Sequence, residues 1–365
     1  MIPLIRPYIQ FGEIEENFRN IFESGILTRG PFVQKLAEKL QSLSEKRFCF
    51  PTSSATTALS ACLRGLGIRH GDEVIVADFS FPATANVVEE VGAQTVLADV
   101  DPDTFNLAPA ALLEAMTSKT RAVIAVDAFG NPTGMNEIAR ICEDRGIFLI
   151  EDAACAIGSS ENGVPAGGIG KAGCFSFHPR KLLTSGEGGA IMTSDEDLAA
   201  ALRVKLLHGG VPSEVGMSFI DVGYNYRLPE LQAAMIIAQL KNLMDIVARR
   251  QKFQAKVSSR LMPHGFIPQK TGAGVSHNVQ SLVYQVPEGV SKTGKHARND
   301  LIGRLRAQGV ESTLGTYSIS SSPYYRSKYS RVCRVSADLQ ERTITLPCHD
   351  GVTPEELCDR LEKCL

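Results

Sequence analysis

The 365-residue chain predicts an α/β fold: a mostly parallel sheet between helices forms a large domain, and a smaller α+β domain follows it at the C-terminus. Three observations carry this expectation. Short apolar runs alternate with helical patterns from about residue 50 to 200, the order that builds parallel sheets covered by helices. The last hundred or so residues hold a further strand-like run and a further helix, too few for a second large sheet. The length also exceeds what one hydrophobic core usually serves.

The runs are Val74-Ile75-Val76-Ala77, Thr95-Val96-Leu97-Ala98, Ala122-Val123-Ile124-Ala125-Val126, Ile147-Phe148-Leu149-Ile150 and Ala190-Ile191-Met192, each short and mostly apolar. Over 54–66, Ala55, Ala58, Leu59, Cys62, Leu63 and Leu66 recur every three or four residues, so one helical stripe faces the sheet and Gly67 ends the helix. A long helix is expected over 229–250, on the apolar face from Leu231 to Val247, bridging two domains. Leu282-Val283-Tyr284-Gln285-Val286 and a helix over 299–308 belong to the smaller unit. The division expected is 1–245 for the large domain with its N-terminal arm, and 246–365 for the small one.

Hydrophobic residues at 44% and charged residues at 21% are those of an ordinary folded protein, which excludes disorder and fibres. A net charge of −2 without a block of like charges gives no footprint for nucleic acid or an anionic membrane, so small molecules are the expected partners. Nine scattered cysteines, odd in number and without a C-x-x-C pair, read as reduced thiols of a cytoplasmic protein. The N-terminus lacks the apolar core of a signal peptide, and no run approaches the ~18 apolar residues of a membrane helix.

The chemistry concentrates in one stretch. Glu151-Asp152-Ala153-Ala154 ends an apolar strand, and Cys174-Phe175-Ser176-Phe177-His178-Pro179-Arg180-Lys181 and Thr184-Ser185-Gly186-Glu187-Gly188-Gly189 follow. A carboxylate at the carboxyl end of a strand lies on the edge where open α/β sheets bind ligands. Pyridoxal phosphate needs a lysine for its aldehyde, a carboxylate against its ring nitrogen and a cradle for its phosphate. Lys181 and Asp152 supply the first two. The helix opening at Ser54-Ala55-Thr56 can cradle the phosphate with free N–H groups and its positive dipole end, with Ser176 as a further hydroxyl. Phe81 follows a strand and can stack on the ring, and His178 is a candidate neighbour of the cofactor.

Bland readings stand beside these. A lone Asp after a strand is more often a helix cap, and a lone lysine is usually solvated; only their joint order favours chemistry. Cys155 reads as a small buried side chain with nothing nearby to activate it. Asn131-Pro132-Thr133-Gly134 is first of all a turn. Gly65-Leu66-Gly67 ends a helix where a dinucleotide fingerprint would open one, and the glycines after Lys181 lack the order of a P-loop, so a nicotinamide dehydrogenase and a nucleotide hydrolase are disfavoured.

These residues resemble the DegT/StrS-type sugar aminotransferases, which have the fold-type-I pyridoxal-phosphate architecture. The resemblance runs through Thr28-Arg29-Gly30-Pro31, Ser54-Ala55-Thr56-Thr57-Ala58-Leu59, Gly71-Asp72-Glu73-Val74-Ile75, Glu151-Asp152-Ala153-Ala154, the Phe175 to Lys181 segment, Gly186-Glu187-Gly188-Gly189, Gly223-Tyr224-Asn225-Tyr226-Arg227 and Leu346-Pro347. It implies that Lys181 bears the cofactor as a Schiff base, that Asp152 pairs with the ring nitrogen, and that Ala55, Thr56 and Ser176 hold the phosphate, with Phe81 in the stacking position. Asn225 matches a residue that reaches the neighbouring subunit's cofactor, which implies a homodimer with shared active sites. Arg227 is the candidate for the amino donor's carboxylate, and Arg29 a second substrate contact. Two departures stand out: Ala55 replaces a usual glycine, tolerable where the backbone is right-handed, and Cys155 replaces the usual Gln or His, a possible partner for the ring oxygen.

The resulting expectation is an aminotransferase that moves an amino group from glutamate or glutamine to a keto-sugar, nucleotide-linked, in aminosugar, surface-polysaccharide or secondary-metabolite biosynthesis. Two competitors remain: a sugar dehydratase on the same scaffold, which Lys181 argues against because such relatives lack the lysine, and a catalytically silent binding protein. Substrate specificity is expected in loops over 208–219 and 316–329.

Overall fold

The structure is a computed structural model that describes residues 1–290 and 297–365. Seven strands form the central sheet: β1 (Phe48–Thr52), β2 (Glu73–Ala77), β3 (Gln94–Ala98), β4 (Thr120–Val126), β5 (Phe148–Asp152), β6 (Ala172–Ser176) and β7 (Gly189–Thr193). Their order across the sheet is β1-β7-β6-β5-β4-β2-β3. The β6-β5-β4-β2-β3 pairs are parallel, and β7 runs antiparallel to both of its neighbours. The expected mostly parallel sheet is therefore present, and all five apolar runs are strands in it.

Sequence periodicity missed two strands for opposite reasons. β1 contains Pro51, which has no N–H to give to a ladder; it is tolerated because β1 is an edge strand. β6 is Ala-Gly-Cys-Phe-Ser, poor in β-branched residues, and its size is set by packing: a Cβ on Gly173 would come within 2.6 Å of the Gly167 Cα.

The helix Ala55–Gly65 buries Ala58, Leu59, Cys62 and Leu63 against the sheet, and Gly67, at φ +72°, turns the chain away. The helix expected over 229–250 is instead two, Glu230–Leu240 and Leu243–Leu261, bent by 60°. Apolar spacing continues across the break through Leu240, Leu243, Ile246 and Val247, so the stripe reads as one helix. The second of the pair serves two cores: Leu243, Ile246 and Val247 pack with the central sheet's residues, and Phe253, Val257 and Leu261 pack with the C-terminal ones.

That C-terminal core centres on a four-stranded antiparallel sheet in the order Ile267–Pro268, Leu282–Gln285, Thr343–Leu346, Thr313–Leu314. Helices Ala297–Ala307 and Pro354–Glu362 supply further buried residues, and Ile2 from the N-terminal arm joins the same cluster. Among the described residues no single helix is long and apolar enough to cross a membrane.

Candidate active site

A cavity of about 590 Å³ opens at the carboxyl ends of β5 and β6, a size suited to a cofactor with a small substrate. Ala55, Thr56, Phe81, Asp152, Cys155, Ser176, His178 and Lys181 all line it, so eight residues separated by up to 126 positions in the sequence face one space.

The phosphate side is built by the start of helix Ala55–Gly65. Ser54 caps it: its hydroxyl accepts from the Thr57 N–H at 3.1 Å while its own N–H donates to Thr57 Oγ1 at 3.1 Å. The Ala58 N–H goes to the Ser54 carbonyl. Helix geometry leaves the Ala55 and Thr56 N–H groups without intrahelical acceptors. Ala55 is the first helical residue and has no positive φ, so its methyl group carries no strain in place of the glycine. Gly189 passes directly behind this turn, where a Cβ would lie 2.6 Å from the Ala55 nitrogen.

Asp152 is the last residue of β5. It is buried, and its Oδ1 accepts the Ala154 N–H at 3.1 Å. Burial pushes its carboxyl above the ordinary carboxylate range, and the Lys181 charge only partly offsets this. Lys181 sits on a loop closed between β6 and β7, where the register sets Ser176 opposite Gly189. Burial pulls its amine down, but Cys155 and Asp152 together outweigh that and raise it. The amine and the carboxylate share one cavity without forming a direct ion pair among the described residues.

Cys155 departs from its expectation. It is half-buried rather than buried, and the Lys181 Nζ lies 3.0 Å from its Sγ; this neighbour is a loop residue 26 positions downstream, invisible to a search of sequence neighbours. His178 accepts the Arg180 N–H on Nδ1 at 3.2 Å, and burial lowers its pKa. Ser176 ends β6, with its hydroxyl 3.4 Å from the His178 N–H. Phe81 is exposed, and its ring meets Tyr317 edge-on at 6.4 Å.

Three candidates lie elsewhere in the single chain. Asn225 is exposed and does not line the cavity. Arg227 bonds His208 at 2.9 Å, and together with Arg29 it lines a separate surface cleft beside Val211 and Pro212. Of the two expected specificity loops, 316–329 reaches the cavity through Thr316, whereas 208–219 forms the hairpin Gly210–Ser213/Gly216–Phe219 on the other cleft. The Asn131 turn is structural: Asn131 is fully buried and donates to the Lys270 carbonyl at 2.9 Å.

Gln280 is a site residue that no motif announces. Its Oε1 accepts the Leu182 N–H and its Nε2 donates to the Arg180 carbonyl, both at 2.7 Å, so it grips the chain on either side of Lys181. Arg250 in turn holds the Val279, Gln280 and Cys348 carbonyls. Behind the strand end, Glu151 accepts three backbone N–H groups from Gly167, Ile169 and Gly170.

A half-buried lysine and a buried carboxylate share one cavity with a helix N-terminus on a fold-type-I sheet, the parts that a pyridoxal-phosphate-dependent aminotransferase requires. The profile of the DegT/DnrJ/EryC1/StrS aminotransferase family matches residues 10–362, and the chain belongs to that family. It is 31% identical to the spore coat polysaccharide biosynthesis protein SpsC of Bacillus subtilis, over 99% of this chain and 95% of that protein. It is 32% identical to the GDP-perosamine synthase of Caulobacter vibrioides, over 90% and 88% respectively. Its fold matches the crystal structure of the aminotransferase TlmJ from Streptoalloteichus hindustanus with a TM-score of 0.92 at 25% identity, covering 100% of this chain and 98% of that one.

Proposed function

We propose that the chain transfers an amino group from glutamate or glutamine to the carbonyl carbon of a nucleotide-linked keto-sugar, in the cytoplasm, for an aminosugar destined for a surface polysaccharide or a secondary metabolite. The observation that carries this reading is the meeting of Lys181, Asp152 and the free amides of Ala55 and Thr56 in one cavity. The nucleotide linkage is supported by the name of the Caulobacter relative, and the polysaccharide by that of the Bacillus one.

The residues fit pyridoxal phosphate on structural grounds. The glycine at 189 keeps the backbone behind the phosphate turn clear, and Asp152 presents a buried carboxylate to the cavity. When bound, the cofactor supplies an aldehyde that takes up an amino group and a ring that withdraws electrons from the neighbouring carbon.

The chain's part is to hold and to move protons. Asp152 keeps a proton on the ring nitrogen, because an anion beside it favours the charged form. The Ala55 and Thr56 amides and the Ser176 hydroxyl bind the phosphate. Phe81, which lines the cavity, would cover one ring face. With the cofactor bound, the Lys181 Nζ would serve as the general base that moves a proton from the carbon bearing the donor's amino group, the work of a mobile amine in this cavity. His178 and Cys155 border the same space.

The substrate and phosphate contacts of Asn225, Arg227 and Arg29 are assigned to a second copy of the chain. Support comes from the segment just before Asn225, where Val215, Phe219, Ile220 and Val222 are 99%, 68%, 63% and 67% exposed. Exposed apolar side chains gathered in one segment favour an interface, and a two-fold dimer would bring each copy's segment to its partner.

Purified protein mixed with glutamate and a panel of nucleotide-linked keto-sugars should accumulate 2-oxoglutarate and an aminosugar. A deoxysugar product without 2-oxoglutarate would establish dehydration instead. Lys181→Ala should lose the cofactor's visible absorbance and, since positioned acid–base groups contribute about 10²–10⁴-fold, at least that much rate.

A further inference from the structure

Cys155 and Lys181 stand in a relationship that amino transfer does not require. Their Sγ and Nζ atoms are 3.0 Å apart, and neither has to move far to react, because one short segment anchors both backbones. Asn278 donates to the Cys155 carbonyl at 2.9 Å, and Gln280 grips the residues flanking Lys181. The two anchors are themselves joined, the Gln280 N–H donating to Asn278 Oδ1 at 2.8 Å. Cys155 is also the one cysteine of the nine that is not buried, and it faces a cavity open to small solutes. A partly exposed thiol beside an amine cation is the setting in which cysteines oxidise.

We propose that Cys155 and Lys181 form an oxidation-responsive pair that a hydroperoxide closes into a covalent sulfur–nitrogen bond. In the first step the sulfur attacks a peroxide oxygen: an S–O bond forms, the O–O bond breaks, and the departing hydroxide leaves as water with one of the three protons that the thiol and amine hold between them. Sulfur is oxidised by two electrons and the peroxide is reduced. In the second step the neutral amine attacks the sulfenic sulfur; an S–N bond forms, the S–O bond breaks, and hydroxide leaves as a second water with an amine proton. The product lacks the free amine, so oxidation withdraws the lysine on which the proposed amino transfer depends; this regulatory consequence rests on that reading. A dithiol reduces the bond and returns both side chains.

The test compares full-length protein without cofactor and protein loaded with pyridoxal phosphate, each treated with hydrogen peroxide and digested for mass spectrometry. The cofactor-free protein should yield one linked peptide pair joining positions 155 and 181, two hydrogens lighter than the sum of its parts, absent after dithiothreitol and absent from Cys155→Ser. Treated protein should also lose cofactor uptake and recover it on reduction, while the loaded protein should resist because its amine is engaged. Oxidation of Cys155 to sulfinic or sulfonic acid with Lys181 unmodified, or an untouched thiol, overturns the pair. The two readings fail separately. A linked pair that forms equally with cofactor present keeps the cross-link and removes Lys181 as the attachment site. Normal cofactor absorbance with no linked pair in either sample does the reverse.

Discussion

The Ser318 hydroxyl donates to the Asp78 carboxylate across 2.8 Å and ties a C-terminal segment to the strand end that leads into the cavity. Ser320 adds its N–H at 2.6 Å and its hydroxyl at 3.0 Å, and the same segment pairs Tyr317 with Ser80 beside Phe81. Burial pushes the Asp78 carboxyl up to about 6, against the hydrogen bonds from Ser320, Ser318 and Ser336 that pull it down. A folded value above the unfolded one means that the fold favours the protonated form. This contribution is fully present below about pH 4 and is lost as pH rises through about 6; it amounts to roughly 3 kcal/mol at most. Denaturant melts of wild type and Asp78→Asn should therefore diverge with pH, wild type losing stability relative to the variant between those limits. Parallel profiles would remove Asp78 as the source.

Gly189→Ala should damage cofactor binding more than folding. The added methyl would meet the first turn of helix Ala55–Gly65, whose displacement costs the phosphate its two amides. Ser54→Ala is the milder control: loss of an N-cap costs about 1 kcal/mol and leaves the turn's path clear. Titration with pyridoxal phosphate should rank affinities as wild type, then Ser54→Ala, then Gly189→Ala, and the reverse order of the two variants would contradict the close approach.

Gln280→Leu should strand the buried Leu182 N–H, at roughly 1–3 kcal/mol, and free the partly exposed Arg180 carbonyl. The loop bearing Lys181 would loosen, so thermal stability and cofactor retention should fall together. Unchanged retention in a destabilised variant would show that the loop is held by other means.

Asp127 is fully buried, and among the described residues neither carboxyl oxygen has a hydrogen-bond donor. Burial, and then the neighbouring Glu151 charge, hold it well above the carboxylate range, so it is folded as the neutral acid. Its stabilising contribution is present at low pH and lost as pH rises through that raised value. Asp127→Asn preserves shape and neutrality, so it should melt within about 1 kcal/mol of wild type at neutral pH and gain on it as pH rises, whereas Asp127→Ala opens a cavity and should cost about 2–4 kcal/mol. Equal losses in both variants would argue against a protonated Asp127.

The sheet was legible because its strands are short and apolar, and the site because its residues sit at strand ends and a helix start, where local signals and ligand edges coincide. Lys181 and Asp152 stand out as candidates through their order, and the structure brings both, with Ser176, to one cavity. Gln280 does not stand out: it is a polar residue after an unremarkable His-Asn-Val, and it acquires its role only when two units pack. Cys155 failed for the same reason, since its partner arrives through tertiary folding. The break at Lys241 and Asn242 was hidden because a hydrophobic stripe records which side is buried and not the direction of the axis.

The rung that pairs Ser176 with Gly189 gives the intervening segment a fixed neck, reinforced where the Phe177 N–H donates to the Gly188 carbonyl at 2.8 Å. The ordering entropy of the lysine is consequently met when the sheet assembles, before any small molecule arrives. Uptake of the cofactor then asks for little rearrangement, and its rate should be governed by diffusion into the cleft and by the chemistry of attachment.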